Sequence, residues 1–279
     1  MRIMHPQMNA LTTQDPVNIV QITDTHLYGG SEGTLLKMNT RDSYDHVLKL
    51  IEQRNDSMDC ILATGDIAQN ASTEAYNEFL ESVSPFNTVV RWIPGNHDNA
   101  ATMEKAAAGT STCEKLQRIN NWLIILLDSS ILGQVHGTLA KSEIKFLKES
   151  LDEAQLDEGV QHCLVSLHHN PVPGNSEWMK DIGLNNGPEF FSILAKYPNA
   201  NTVLYGHIHQ ELDFEHEGVR CLCSPSCCIQ FKPNVSNFAL DKLNPGYRWL
   251  KLYADGHIDT EVVRVSGTTF EADFSSPGY

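Results

Sequence analysis

From Val17 to about Gly206 the chain alternates short apolar runs with stretches of helical period. The runs VNIVQIT, CILAT, VVRWIP, CLVSL and TVLY read as strands. Between them, helices are expected over 41–55, 73–83, 142–154 and 188–196. In the first of these Tyr44, Val47, Leu48 and Ile51 recur at helical spacing. The third opens at Ser142, a favourable N-cap, with Glu143 near the positive end of the helix dipole. The fourth opens on Pro188, whose missing N–H costs nothing in a first turn. After His209 the style changes to strand-like segments punctuated by Gly, Pro and Asn: LDFE, GVRCLCS, NFALD, YRWLKLY and HIDTEVVRV.

Strands alternating with helices argue an α/β fold, here with a β-rich C-terminal part. There is no internal repeat, low-complexity tract or linker, so 17–279 reads as one domain. The first sixteen residues, MRIMHPQMNALTTQDP, lack the apolar stretch of a secretory signal and are expected to be a poorly ordered polar leader. No apolar run reaches the ~20 residues of a membrane span. The expectation is a cytoplasmic protein with no membrane association.

The net charge of −15 comes without a Lys/Arg cluster, which disfavours polymeric nucleic acid as a partner. A small anionic substrate is compatible with it if bound metals supply local positive charge; the same −15 also serves simply to keep the chain soluble. Four of the seven cysteines crowd together as Cys221, Cys223, Cys227 and Cys228. Their spacing lacks the paired C-x-x-C of a structural zinc site, and they read as buried reduced thiols on a strand.

The chemistry lies in the residues immediately after the five runs. Asp24-Thr25-His26, Gly65-Asp66, Gly95-Asn96-His97-Asp98, His168-His169 and Gly206-His207-Ile208-His209 each sit just past a strand. Residues at the carboxyl ends of neighbouring strands converge, as ligand sites in α/β proteins do. Asp24 and His26, two apart in extended backbone, point the same way, and so do His207 and His209. Asp66 is either a helix cap or a carboxylate able to bridge two ions. In the third motif Asn96 offers a neutral carbonyl, His97 a proton donor or acceptor, and Asp98 a group to orient that imidazole. Phe231, Tyr247 and Trp249 either stack a base or belong to the core. Metalloprotease, serine-hydrolase and phosphate-loop signatures are absent.

Taken in order, D-x-H, G-D, G-N-H-D, H and G-H-x-H, the set resembles the calcineurin-like metallophosphoesterase superfamily. The resemblance implies a four-layer α/β/β/α sandwich with a dinuclear metal centre. One metal would be held by Asp24, His26, Asp66 and His209, the other by Asp66, Asn96, His168 and His207, with Asp66 bridging. His97 would protonate the leaving oxygen and Asp98 would hold it. His168 is preferred over His169 because relatives carry their ligand as the first His of an HHxP-like turn. Asn170, in His168-His169-Asn170-Pro171, departs from that pattern. Iron or manganese is expected, with zinc or cobalt compatible. A hydroxide bridging two such metals would attack phosphorus.

The tail extends the resemblance. The stretches 224–233, 238–241 and 245–250, Gln69-Asn70, the run 206–213 and the ending Gly278-Tyr279 look like the bacterial class III 3′,5′-cyclic-AMP phosphodiesterases. Cys227 stands where relatives usually have Thr. The likeness covers nearly the whole chain from Val17. It implies hydrolysis of cyclic AMP to 5′-AMP, with His26, Asp66, Asn96, His97 and His209 touching the phosphate. A broader phosphodiesterase or phosphomonoesterase, acting on 2′,3′-cyclic nucleotides or glycerophosphodiesters, is the alternative. A non-catalytic metal-site scaffold is the remote one, since every ligand position and His97 are filled.

Overall fold

The computed structural model describes residues 15–54 and 56–278. The expected leader thus lies almost wholly outside the described residues, as does Tyr279. The first half of the chain contains β1 (Val17–Ile22), β2 (Thr34–Leu35), β3 (Met38–Asn39), α1 (Thr40–Arg54), β4 (Cys60–Thr64), α2 (Thr73–Val83), β5 (Val89–Ile93), α3 (Ala100–Ala106), β6 (Leu116–Ile119) and β7 (Trp122–Leu126). The second contains α4 (Lys141–Leu156), β8 (His162–Ser166), α5 (Gly187–Leu194), β9 (Thr202–Tyr205), β10 (Leu212–His216), β11 (Val219–Cys223), β12 (Gln230–Phe231), β13 (Leu240–Asp241), β14 (Gly246–Leu252) and β15 (Ile258–Arg264).

These strands build two large sheets. The first runs in the order β15-β14-β1-β4-β5, the second β10-β11-β9-β8-β7-β6. β1, β4 and β5 are parallel, and so are β7, β8 and β9. All five motif-bearing strands therefore end at carboxyl edges.

Alternation along each strand explains the layering. Val17, Ile19, Cys60, Leu62, Ile124, Leu126, Leu164, Leu204, Leu222, Leu250 and Leu252 form one aliphatic cluster drawn from both sheets, the layer between them. The intervening residues, such as Val20, Ile22, Ile61, Ala63, Ile125, Val165 and Val203, join the cluster that includes the helices. Strands buried on both faces favour near-continuous apolar runs, and CILAT of β4 and WLIIL of β7 show them most fully. On the outer face of the first sheet, Tyr44 of α1 stacks on Phe79 of α2, which meets Trp92 of β5. α4 lies against β7, and Phe191 of α5 contacts His216 of β10. The result is the expected α/β/β/α sandwich.

The structure refines two sequence expectations and corrects a third. The β-rich tail is divided between the sheets: β14 pairs with β1 and extends the first, while β10 and β11 extend the second. Central strand β7 is an addition to the expected strands, because no motif comes after it. Ser142 does not cap α4; the helix starts one residue earlier, with Ala140 at the cap and no side-chain bond there. The cap geometry of α2 is ordinary, Ser72 accepting from Ala75 N.

Candidate metal centre

All seven expected ligands meet at the joined edge of the two sheets. Loop-to-loop hydrogen bonds lace the first two motifs: Asp24 N donates to Gly65 O and His26 N to Asp66 O, both at 2.9 Å. Asp24, His26, Asp66, His207 and His209 have left-handed backbone, with φ of 53°, 47°, 48°, 69° and 48°, which replaces the extended backbone expected for the Asp24/His26 and His207/His209 pairs. For non-glycine residues such geometry costs about 1–3 kcal/mol each and persists where surrounding structure imposes it. The motif glycines are there for close approach. A Cβ on Gly206 would lie 2.6 Å from Asp24 Oδ2, and one on Gly95 would collide with the Asp66 carboxylate.

Each imidazole is held by its far nitrogen. His168 Nδ1 lies 2.8 Å from Thr64 O, His209 Nδ1 2.8 Å from Ile229 O, and His207 Nε2 2.9 Å from Ile182 O. His26 Nδ1 lies 2.6 Å from Gln69 Oε1. A carbonyl only accepts, so each of these nitrogens carries a proton, and in the neutral ring the other presents a lone pair inward. Those inward nitrogens face each other in pairs. His26 Nε2 is 3.2 Å from His209 Nε2, and His168 Nε2 is 3.2 Å from His207 Nδ1. Two lone pairs at that distance repel unless a proton or a cation lies between them.

The oxygen donors complete two groups. Asp24 Oδ1 is 3.3 Å from His209 Nε2. Asp66 Oδ2 and Asn96 Oδ1 are each 3.3 Å from His168 Nε2. Asp66 also clusters with His26 and His97, so it reaches both sides. Burial drives the His26 and His207 imidazoles down to about 3, keeping them neutral. Burial also pulls on His168, but the Asp66 and Asp24 carboxylates carry it up to about 9. Burial would raise Asp66, yet the surrounding imidazoles, His168 first, hold it well below the usual carboxylate range. A cation is therefore wanted where the carboxylates and lone pairs meet, and the donor set suits two divalent ions.

His169 is occupied elsewhere: its Nδ1 meets Ser129 Oγ at 2.8 Å and its Nε2 meets Val135 O at 3.2 Å. A ring nitrogen of His169 also comes within ligand reach of His168 and His207, but of the two only His168 faces the Asp66 carboxylate and Asn96 Oδ1. His97 sits half-buried with its ring 5.1 Å from that of His26, and its backbone N donates to Asp66 Oδ1 at 2.8 Å. The Asp98 carboxylate accepts from Ile67 N, Ala68 N, Gly95 N and Tyr76 Oη at 2.9–3.1 Å. It locks the turn that carries His97. Burial, reinforced by the Asp66 charge, pushes its carboxyl up to about 6.

Sequence reasoning missed the supports. Gln69, Tyr76 and the carbonyls of Thr64, Ile182 and Ile229 carry no motif signature; only Gln69 stood out, as part of a resemblance. Phe231 stacks flat on His209, centroids 4.1 Å apart and planes at 7°. Tyr247 and Trp249 are core, both 1% exposed. The seven cysteines are unpaired. Cys223 and Cys227 point their thiols at Gly206 O and Gly246 O, and burial raises both, so the cluster behaves as small apolar packing.

Comparison with known proteins agrees with this geometry. Residues 17–211 match the family model described as calcineurin-like phosphoesterase. A Pseudomonas aeruginosa protein described as 3′,5′-cyclic adenosine monophosphate phosphodiesterase CpdA is 41% identical over 276 residues, covering 99% of this chain and 100% of its own. Its counterpart in Escherichia coli K12 is 43% identical over 265 residues, covering 94% and 95%. Among solved structures, a dimetal phosphatase from Danio rerio superposes with a TM-score of 0.61 at 14% identity, covering 91% of this chain and 100% of its own, a likeness of fold.

Proposed function

The chain belongs to the calcineurin-like phosphoesterase family, and from that premise we propose that it hydrolyses 3′,5′-cyclic AMP to 5′-AMP. The observation that carries the reading is the two pairs of facing imidazole nitrogens at 3.2 Å, each flanked by a carboxylate. The near full-length relatives supply the substrate. Asp24, His26, Asp66 and His209 would hold one ion, and Asp66, Asn96, His168 and His207 the other. Mixed imidazole, carboxylate and amide donors suit manganese or iron and admit zinc or cobalt. When bound, the two ions supply a nucleophile near neutral pH and neutralise charge on the phosphoryl oxygens.

The rest is done by side chains. His97, half-buried beside the His26 ring on the turn that Asp98 fixes, gives a proton to the departing ribose 3′ oxygen. Asp98 keeps His97 in register by fixing the Gly95–Asp98 turn. His26, Asp66, Asn96, His97 and His209 line the phosphate side. A small diester is drawn by local charge at the centre, not by the net charge of the chain, which is −15. Polymeric nucleic acid and membranes are not partners in this reading. No helix among the described residues is long and apolar enough to cross a bilayer. The seven unpaired thiols fit a reducing cytoplasm, and 17–279 acts as one domain.

The test is product analysis. Protein reconstituted with Mn²⁺ is given cyclic AMP beside a nitrophenyl phosphodiester, and the products are separated by chromatography. 5′-AMP should form at a rate rivalling the control. Turnover of the control alone would leave a phosphodiesterase and reject cyclic AMP.

A further inference from the structure

The four inward imidazoles are not anchored alike. His168, His207 and His209 lean on the backbone carbonyls of Thr64, Ile182 and Ile229, which no substitution removes. His26 leans on a side chain, the amide oxygen of Gln69 at 2.6 Å. We infer that Gln69 is a positioning residue that selects the His26 tautomer presenting Nε2 to the ion shared with Asp24 and His209. The inference deepens the metallophosphoesterase reading and rests on it.

Gln69 is pinned where this choice is made. Its backbone N donates to Leu27 O at 2.8 Å, beside the Leu27–Ala68 bridge, while His26 N donates to Asp66 O. The amide plane therefore meets the His26 ring at one place, with either its oxygen or its NH₂ foremost. Oxygen foremost puts the proton on Nδ1 and gives Nε2 the lone pair that ligation needs. NH₂ foremost makes Nδ1 the acceptor and moves the proton to Nε2, aimed at His209 Nε2 3.2 Å away. The two histidines would then bond to each other where the ion belongs. A carboxylate at this position removes that second option, because it only accepts.

Gln69→Leu should therefore weaken one of two metal sites, and Gln69→Glu should keep both. Calorimetric titration of the metal-free protein with Zn²⁺ separates the sites. Loss of such a partner costs about 10–100-fold in metal affinity. We expect that loss at one site in Gln69→Leu, with the other site changed by less than about threefold and the circular dichroism unaltered. Nitrogen-15 spectra of the Zn²⁺-loaded wild type should show His26 protonated on Nδ1, and this holds as a test even if Gln69→Leu does not fold. Equal weakening of both sites, no weakening, failure of Gln69→Glu to retain the site, or protonation on Nε2 would each overturn the inference. A wild type that binds two metals but leaves cyclic AMP intact would defeat the substrate assignment alone.

Discussion

The layer between the two sheets has two ends of opposite chemistry, although one alternation pattern generates both. Away from the ligand loops it is aliphatic: Ile19, Leu62, Leu164, Leu204, Leu222 and Leu250 interlock. Continuing the same faces toward the carboxyl ends gives Gln21, Thr64, Ser166, Ser224 and Arg248, all buried. Gln21 and Arg248 are direct partners across β1 and β14. Gln21 Nε2 donates to Thr64 Oγ1 at 2.7 Å and to Tyr205 O at 3.1 Å, and Ser224 Oγ donates to Gln21 Oε1. Arg248 Nε donates to Ser224 Oγ at 3.0 Å, and its Nη2 to Cys223 O at 2.7 Å. Thr64 also lends its carbonyl to His168.

The difference teaches where rigidity and stability come from. The aliphatic end removes apolar area from water at about 25 cal/mol per Å², and supplies stability. The polar end contributes little net energy per bond, about 0.5–1.5 kcal/mol, but each bond is directional and costly to leave unmade. It holds strained loops with two buried carboxylates in fixed positions. Function is carried by the end that is poorer in stabilising energy.

The sharpest way to break the comparison is Asp66→Asn. One carboxylate serves two ions, so both sites should empty or scramble and activity should vanish while the fold stays. Two metals per chain in that variant, by elemental analysis, would contradict the bridge. Next is His97→Ala, expected to lose about 10²–10⁴-fold on cyclic AMP with its poor leaving group. Metal content should be unchanged. Equal loss on a nitrophenyl ester would argue against a proton donor.

Removing the ions with a chelator should destabilise the chain by about 4 kcal/mol for each metal held at a thousand times its Kd. A thermal scan showing no shift would mean that the polar end is equally stable without cations. Leu204→Ala at the aliphatic end should cost about 2–5 kcal/mol in denaturant unfolding, yet leave metal stoichiometry alone. Arg248→Met tests the opposite corner: about 1–3 kcal/mol from acceptors left unmatched, together with weaker metal binding. If Leu204→Ala loosened the metals and Arg248→Met did not, the division of labour between the two ends would be reversed. The smallest effect belongs to Ser72→Ala, about 1 kcal/mol from a lost cap on α2, with nothing felt at the centre.

Legibility in the sequence tracks this same division. β1, β4, β5, β8 and β9 are readable because strands buried on both faces are predominantly apolar, with Asn18, Gln21 and Arg91 as interruptions in β1 and β5. The ligands are readable because a metal demands few residue types at short spacings. β7 is just as apolar, but without a motif after it nothing draws attention to WLIIL. Ser142 is a sound N-cap by type, yet the helix begins at Lys141 with Ala140 at the cap and no side-chain bond there. Asp98 reads from sequence as a partner for the His97 ring; its four described bonds to Ile67, Ala68, Gly95 and Tyr76 come largely from segments that sequence distance separates.

By itself, then, the sequence determined the alternation of strands and helices, the family resemblance and which side chains would meet. Those depend on local periodicity and on the chemistry of single residue types. Only the tertiary structure decided that the tail strands complete both sheets and that three of the four imidazoles are fixed by a backbone carbonyl from another segment. It also decided that Gln69 stands behind His26 and that Arg248 closes the polar end of the layer. Such partners are chosen by proximity in three dimensions, and a backbone carbonyl looks the same at every position of a sequence.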